Sequence, residues 1–593
     1  MSVEPEEHRM NAILGRHGGP ITVAYGVLAA LYVLIRAGSS TYIADRVTDT
    51  VTYEQVAHLS LFGTGFYTGQ RGFTIPLFYK LFTTSDSRMV AQMVISTIAW
   101  MLLAAAVAHS VRTRWLGPVV FGVVLGFSAT TEVVLWDTLL LSESITFALT
   151  ALLVAAWIML VQHPGKGWAA AVLTLSLLWA FARDTNAEVL LVVGILVALT
   201  LVNPARRRLK VVLAVGCIVI FALDYGSAEA GKRWLQPFKD VVTYRVMSTD
   251  SLRAYFESHG LPAQAGPAQT AWIEHDGRRV YLEYLLGHPA YALGAPFHGR
   301  QATPASSPRS IAAMLEPEIL TYNDNASRRF FPLPTFAEKI LFLRGVPAVL
   351  AWIAATLALA LLSALLAGGT TVELVPLAIL VTTYPHYLLV WHTSGLEVDR
   401  HAMGAALLLR LSLFLLAAYS IDALLVKYPV HLESRSGALA AWRASDGRTR
   451  TTEAGAVLVV AAALVCGLVE FPSAFRELQS RSSANAALPA ELRPLAGARG
   501  VDISSPFMLA ARDLVPEGQT FVVVTGPHIQ ISTPITLTAL PPFMQTWLLP
   551  RRAADEKTAQ WLLCYGCDLS QWGKRLDVKY DDGTGAVIAR IVR

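Results

Sequence analysis

Long apolar runs constrain this chain more than any other feature. Eleven of them stand out, at roughly 20–36, 89–109, 117–135, 141–162, 168–182, 187–202, 209–224, 345–368, 372–391, 402–425 and 455–471. About 20 mostly apolar residues let a helix cross a bilayer. Inside hydrocarbon only helices and closed barrels satisfy their own backbone. The runs therefore predict an α-helical polytopic membrane protein with about 11 transmembrane helices. Composition agrees: 15% of residues are charged, against roughly 25% in soluble domains, and the mean hydropathy is +0.47. The fifth and sixth runs are short and flank one polar knot, which predicts a tight helical hairpin. The first run is longer than a signal-peptide core and is expected to be retained.

The loops after the second, fourth, sixth and tenth runs are poor in acids and rich in basic residues, among them Arg112, Arg114, Lys166, Arg206, Arg207, Arg208 and Lys210. The positive-inside rule assigns all four loops to the cytoplasm. They follow even-numbered runs, so one topology satisfies them together. It predicts a multi-pass plasma-membrane protein with a cytoplasmic N-terminus and an extracytoplasmic C-terminus. The net charge of +5 is small for the length and is read as topology control, with no nucleic-acid partner.

That orientation collects ionisable groups on the outer face. The first outer loop, about 37–88, opens with DRVTDTVTYEQVA and holds Asp45, Asp49, Tyr53, Glu54 and Arg71. A tiny second loop brings Asp137 and, at the next helix start, Glu143; the polar knot brings Arg183 and Asp184. A large loop at about 225–341 begins with the aromatic and basic stretch Tyr225–Met247, expected at the membrane interface. The fifth loop runs from His392 through Glu397, Asp399 and Arg400 to His401. Residues 472–593 lose the long runs and predict a small extracytoplasmic α/β domain after a 1–471 membrane domain. There FVVVTG reads as a strand, ADEKTAQWLLCYG as a short helix and GAVIARIVR as a closing strand. Cys217 and Cys466 lie in apolar runs and read as packing residues, while Cys564 and Cys567 predict a local disulfide rather than a zinc or redox site.

Asp49, Tyr53 and Ala57 are spaced to share one helix face. The pattern D-x-x-x-Y-x-x-x-A after a first span resembles the first outer loop of the GT-C superfamily of membrane glycosyltransferases, many bacterial members of which show D-E-x-x-Y-x-x-x-A. This chain has Thr50 where many have a second acid. Gly69, Arg71 and Pro76 fit the superfamily's G…R…P run, and the many spans, large first and fourth outer loops and outer C-terminal domain are similar in layout. The resemblance implies an inverting transferase that moves a sugar from a polyprenyl-phosphate donor to a hydroxyl of a cell-envelope glycan, lipid or protein acceptor.

Such a reaction needs a carboxylate to take the hydroxyl proton and cations to hold the phosphate. Asp49 is the expected base and Asp45 the second choice. Arg183, Arg400 and His401 are the phosphate candidates, and Tyr53, Glu54, Arg71, Glu143, His392 and Glu397 complete the expected substrate-binding set. The bland alternatives are a local pair of Arg400 with Glu397 or Asp399, a structural Arg183–Asp184 pair, and a helix-dipole role for Glu143. No ligand spacing demands a cofactor. A divalent cation shared by Asp49 with Glu143 or Asp137 stays open. The competing functional class is a polytopic transporter or lipid flippase, which calls for charged or broken segments in mid-span and two related halves.

Overall fold

The computed structural model describes residues 20–38, 44, 46–263, 266–298, 312–315, 333, 335–428, 495, 503–526, 529, 534–572 and 575–592. The chain divides into two compact units, Met1–Gly467 and Leu468–Arg593.

The first unit is helical. Its principal helices are α1 (Pro20–Gly38), α2 (Thr48–His58), α3 (Ser85–Ser110), α4 (Leu116–Ser128), α5 (Glu143–Gln162), α6 (Lys166–Ala180), α7 (Asp184–Leu199), α8 (Arg207–Ala230), α9 (Leu235–Val241), α10 (Val346–Ala367), α11 (Leu374–Thr393) and α12 (Val398–Lys427). Among the described residues, eight helices are long and apolar enough to cross a membrane. They are α1, α3, α5, α7, α8, α10, α11 and α12. The short α6 and α7 form the hairpin expected at the polar knot. The run at 455–471 lies outside the described residues.

The third run is expected as one span, but the chain bends by 56° between α4 and the turns at Thr131–Asp137. Distant side chains make the break tolerable. Glu338 accepts from the Thr131 hydroxyl at 2.5 Å, and Arg344 pairs with the buried Glu132. The seventh run was ended at 224, but α8 continues to Ala230, so the start of the expected interfacial stretch belongs to a long helix.

These helices are apolar on their outward faces and carry scattered polar groups on the inward ones. Outward residues such as Leu34, Leu361 and Leu365 are exposed, while the polar side chains turn inwards. Arg36 bonds Asp137 at 2.5 Å, the Ser96 hydroxyl at 2.6 Å and the Ser128 carbonyl at 2.8 Å. That network ties α1 to α3 and to the bent segment. Cys217 is buried in the core as expected.

The second unit is a five-stranded sheet with helices α13 (Ser505–Leu514) and α14 (Pro534–Trp547). Its strands are β1 (Thr520–Thr525), β2 (Arg552–Ala553), β3 (Trp561–Tyr565), β4 (Arg575–Asp581) and β5 (Ala586–Val592), in the order β2-β1-β3-β5-β4. β1 runs parallel to β2 and β3; β5 runs antiparallel to β3 and β4. Phe507, Met508, Phe521, Leu540, Met544, Leu563 and Ile588 form its core. The strands at 520–525 and 586–592 match expectation. The expected helix over ADEKTAQWLLCYG does not form. Asp555 accepts from the backbone of Lys557 and Thr558 and makes a turn instead. Trp561–Tyr565 is then a central strand, buried along its whole length. A short apolar run cannot by itself separate these two outcomes. Cys564 and Cys567 are disulfide-bonded, with Cα atoms 5.5 Å apart. Cys564 stands in the strand Trp561–Tyr565 and Cys567 just after it, so the expected disulfide forms at the strand's end.

Candidate functional site

Four segments far apart in sequence meet at one end of the helical unit, and glycines make the meeting close. Gly72 lies on the Phe181 carbonyl, Gly231 on the carbonyls of Thr68 and Gly69, and Gly395 on the Asp240–Val241 peptide. A Cβ at any of the three would collide with backbone, which cannot swing aside as a side chain can. Side-chain bonds reinforce the contacts. The Thr74 hydroxyl donates to the Leu178 carbonyl at 2.8 Å, and Arg245 donates to the Ser394 carbonyl at 3.0 Å.

The first segment carries Asp49 on the opening turn of α2. Thr50 explains its own presence. Its hydroxyl accepts from the Val47 amide at 3.1 Å and donates to the Leu140 carbonyl at 2.8 Å, so it caps the helix and docks it on the 131–143 segment. Asp49 then sits between two guanidiniums. Its Oδ1 accepts from Arg71 and its Oδ2 from Arg400, each at 2.6 Å. Arg71 is braced by the Thr52 hydroxyl at 2.8 Å and by the Tyr53 ring beneath it. Arg400 also reaches Glu397 at 2.8 Å and the fully buried Glu143 at 3.2 Å, and Arg183 lies 3.5 Å from the same Glu143 oxygen. Glu397 holds a left-handed backbone, φ +52°, at the start of α12. Strain of this kind is costly for a non-glycine residue and clusters at functional sites.

A cavity of about 730 Å³ opens over this network. Five cations (Arg71, Lys232, Arg233, Lys239 and Arg400) and three carboxylates (Asp49, Asp240 and Glu397) line it, together with His401. Burial pushes the Asp49 carboxyl up, but the charges and hydrogen bonds of Arg71 and Arg400 outweigh burial and hold it below the usual carboxylate range. Asp240 has no such grip. Burial and the neighbouring Glu397 push it up to about 6, against one hydrogen bond from Gln236 that pulls the other way.

Of the residues expected from sequence, Asp49, Arg71, Glu397, Arg400 and His401 line the cavity, and Glu143 and Arg183 support it from behind. Tyr53 is buried against Tyr79. Glu54 pairs away from the cavity with Arg46 at 2.5 Å and Arg88 at 2.6 Å. His392 bonds the Tyr281 hydroxyl and the Ala292 carbonyl. These three are not brought to the cavity wall. Asp137 is committed to Arg36 and cannot share a cation with Asp49. Asp45 lies outside the described residues. Arg183 and Asp184 do not pair with each other: Asp184 takes Arg233 at 3.0 Å. The reading missed Lys232, Arg233, Lys239 and Asp240. Their stretch was noticed only as basic and aromatic, and the signal that places it is the pair Gly231 and Gly395.

Among the described residues no group of three or more His, Cys, Asp or Glu is placed to hold a metal. Among the lining side chains the cations outnumber the acids, which favours an anion, and behind the wall Glu143 and Asp184 pair with Arg400 and Arg233. No family model and no curated protein matches the chain.

Proposed function

We propose that the protein is a membrane glycosyltransferase that takes a sugar from a polyprenyl-phosphate donor and transfers it, with inversion, to a hydroxyl of a cell-envelope acceptor at the outer face of the plasma membrane. The observation that carries this reading is Asp49 held between Arg71 and Arg400 at the wall of a cationic cavity. The basic inter-helix loops, read by the positive-inside rule, support a cytoplasmic N-terminus and a cavity on the outer side. Arg400 stands near the head of a 30-residue helix, about 45 Å long at 1.5 Å per residue. Such a helix carries its head beyond a ~30 Å hydrocarbon layer, at the level of a lipid phosphate. The isoprenoid tail stays in the bilayer while the phosphate docks beside Asp49 against the two guanidiniums. As the anomeric carbon–oxygen bond breaks, negative charge grows on the phosphate, and preorganised cations stabilise it. Asp49 keeps Arg71 and Arg400 side by side for the donor.

The test supplies the full chain, in membranes, with a panel of radiolabelled polyprenyl-phosphate sugars. One sugar should be transferred. Asp49→Asn should lower kcat/KM for that donor about 10- to 150-fold, the range that hydrogen bonds to charged groups support. No transfer from any donor would sink the reading.

A further inference from the structure

We propose that the proton of the attacking hydroxyl passes to Asp240, with Asp49 serving to position the arginines. The inference rests on the transferase reading above. Asp49 and Asp240 face one cavity with opposite surroundings, and carboxylates driven apart in this way divide the acid–base roles between them. Both oxygens of Asp49 are taken by guanidiniums, and its depressed basicity suits an anchor. Asp240 accepts only from Gln236, at 3.2 Å, and has no ion-pair partner among the described residues. Its surroundings are Gln236 and Lys239 on its own helix, Glu397, Arg400 and His401 on the 394–401 segment, Asp49 and Arg71 on the first loop, and Lys232 and Arg233 on the preceding turn. Burial and Glu397 make it the stronger base of the two. The Gly395 contact on its own peptide fixes where the carboxylate stands, and a base must be within hydrogen-bond reach of the proton it takes.

The step balances. The acceptor oxygen forms a bond to the anomeric carbon, and the bond from that carbon to the phosphate oxygen breaks. Its electron pair leaves with the lipid phosphate. The hydroxyl proton goes to Asp240, which returns it to water through the open cavity.

The experiment is the pH dependence of transfer by the full chain, with the donor found in the panel. Wild type should show an acid limb in kcat with a midpoint near 6. Asp240→Asn should lose that limb and about 100- to 10,000-fold in kcat, with donor KM little changed. Asp240→Glu should recover part of the rate and restore a limb. Asp49→Asn should keep the limb and act mainly on KM. Should Asp240→Asn fail to fold, Glu397→Gln decides: loss of the like charge must move the midpoint to lower pH. Wild-type kcat and limb in Asp240→Asn, loss of the limb in Asp49→Asn, or an unmoved midpoint in Glu397→Gln would each overturn the proposal while leaving the transferase reading intact. Failure of wild type to transfer any sugar would instead remove the reading and the proposal together.

Discussion

Asp137 and Asp49 are both acids in the grip of arginine, and they do opposite things. Asp137 is 2% exposed. One of its oxygens holds Arg36 at 2.5 Å and the other accepts from Ser144 at 2.7 Å. Arg36 spends its remaining reach on Ser96 and the Ser128 carbonyl. This network is closed and leaves no room for a ligand. The Asp49 side chain is 23% exposed, and its arginine partners line a cavity. The same ion-pair chemistry is sealed in one place and opens on a cavity in the other. Burial and the occupancy of the second face separate a bolt from a binding site.

That contrast can be broken from the closed side first. Asp137→Ala leaves Arg36 charged and buried without its partner, and unpairing a buried ion typically costs 3–5 kcal/mol. Thermal unfolding of the detergent-solubilised protein should show this. The double variant Arg36→Met, Asp137→Leu should recover most of the loss, because an apolar pair of similar volume is often as stable as the ion pair. A single variant as stable as wild type would mean that the pair is not sealed.

On the open side, Arg400→Lys keeps the charge but loses the fork that reaches Asp49, Glu143 and Glu397 together. At about 1.5–3 kcal/mol for a charge-assisted hydrogen bond, kcat/KM for the donor should fall about 10- to 150-fold, and the melting temperature should fall less than in Asp137→Ala because lysine keeps a charge beside the buried Glu143. A large stability loss with unchanged kinetics would place Arg400 with the structural ions.

The smallest effect is expected at Arg46, 53% exposed and paired to a Glu54 oxygen. Arg88 already holds the other oxygen from a buried position. Exposed pairs contribute less than about 1 kcal/mol, so Arg46→Ala should leave both transfer and unfolding nearly unchanged. A marked loss of transfer would return Glu54 to the site.

Much of the site was legible because single residues advertise themselves near a membrane. Asp49, Glu143, Arg183, Arg400 and His401 are ionisable groups at the ends of apolar runs, and such placement is costly enough to be informative. Glu54 and His392 carry the same advertisement but satisfy it locally, through Arg88 and Tyr281. Sequence spacing cannot separate those two cases. Asp240 was missed for the converse reason. It lies within a basic, aromatic stretch whose composition describes an interface, and nothing within ten residues shows that Gly395 will pack on its backbone.

The sequence by itself determined where the long apolar helices lie, because hydropathy is local and additive: each run reports its own preference for lipid whatever its neighbours do; it did not determine which of the eleven runs are long and straight enough to cross. It also determined that the acids and arginines lie at span ends. Only the tertiary structure decided which of them meet. It bent the third run through contacts with Glu338 and Arg344, made a strand of Trp561–Tyr565 by pairing it on both sides, and drew four loops together through three glycines. Those outcomes depend on groups tens to hundreds of residues apart and on the absence of a Cβ at a contact point. A single stretch of sequence carries no trace of either until the chain has folded.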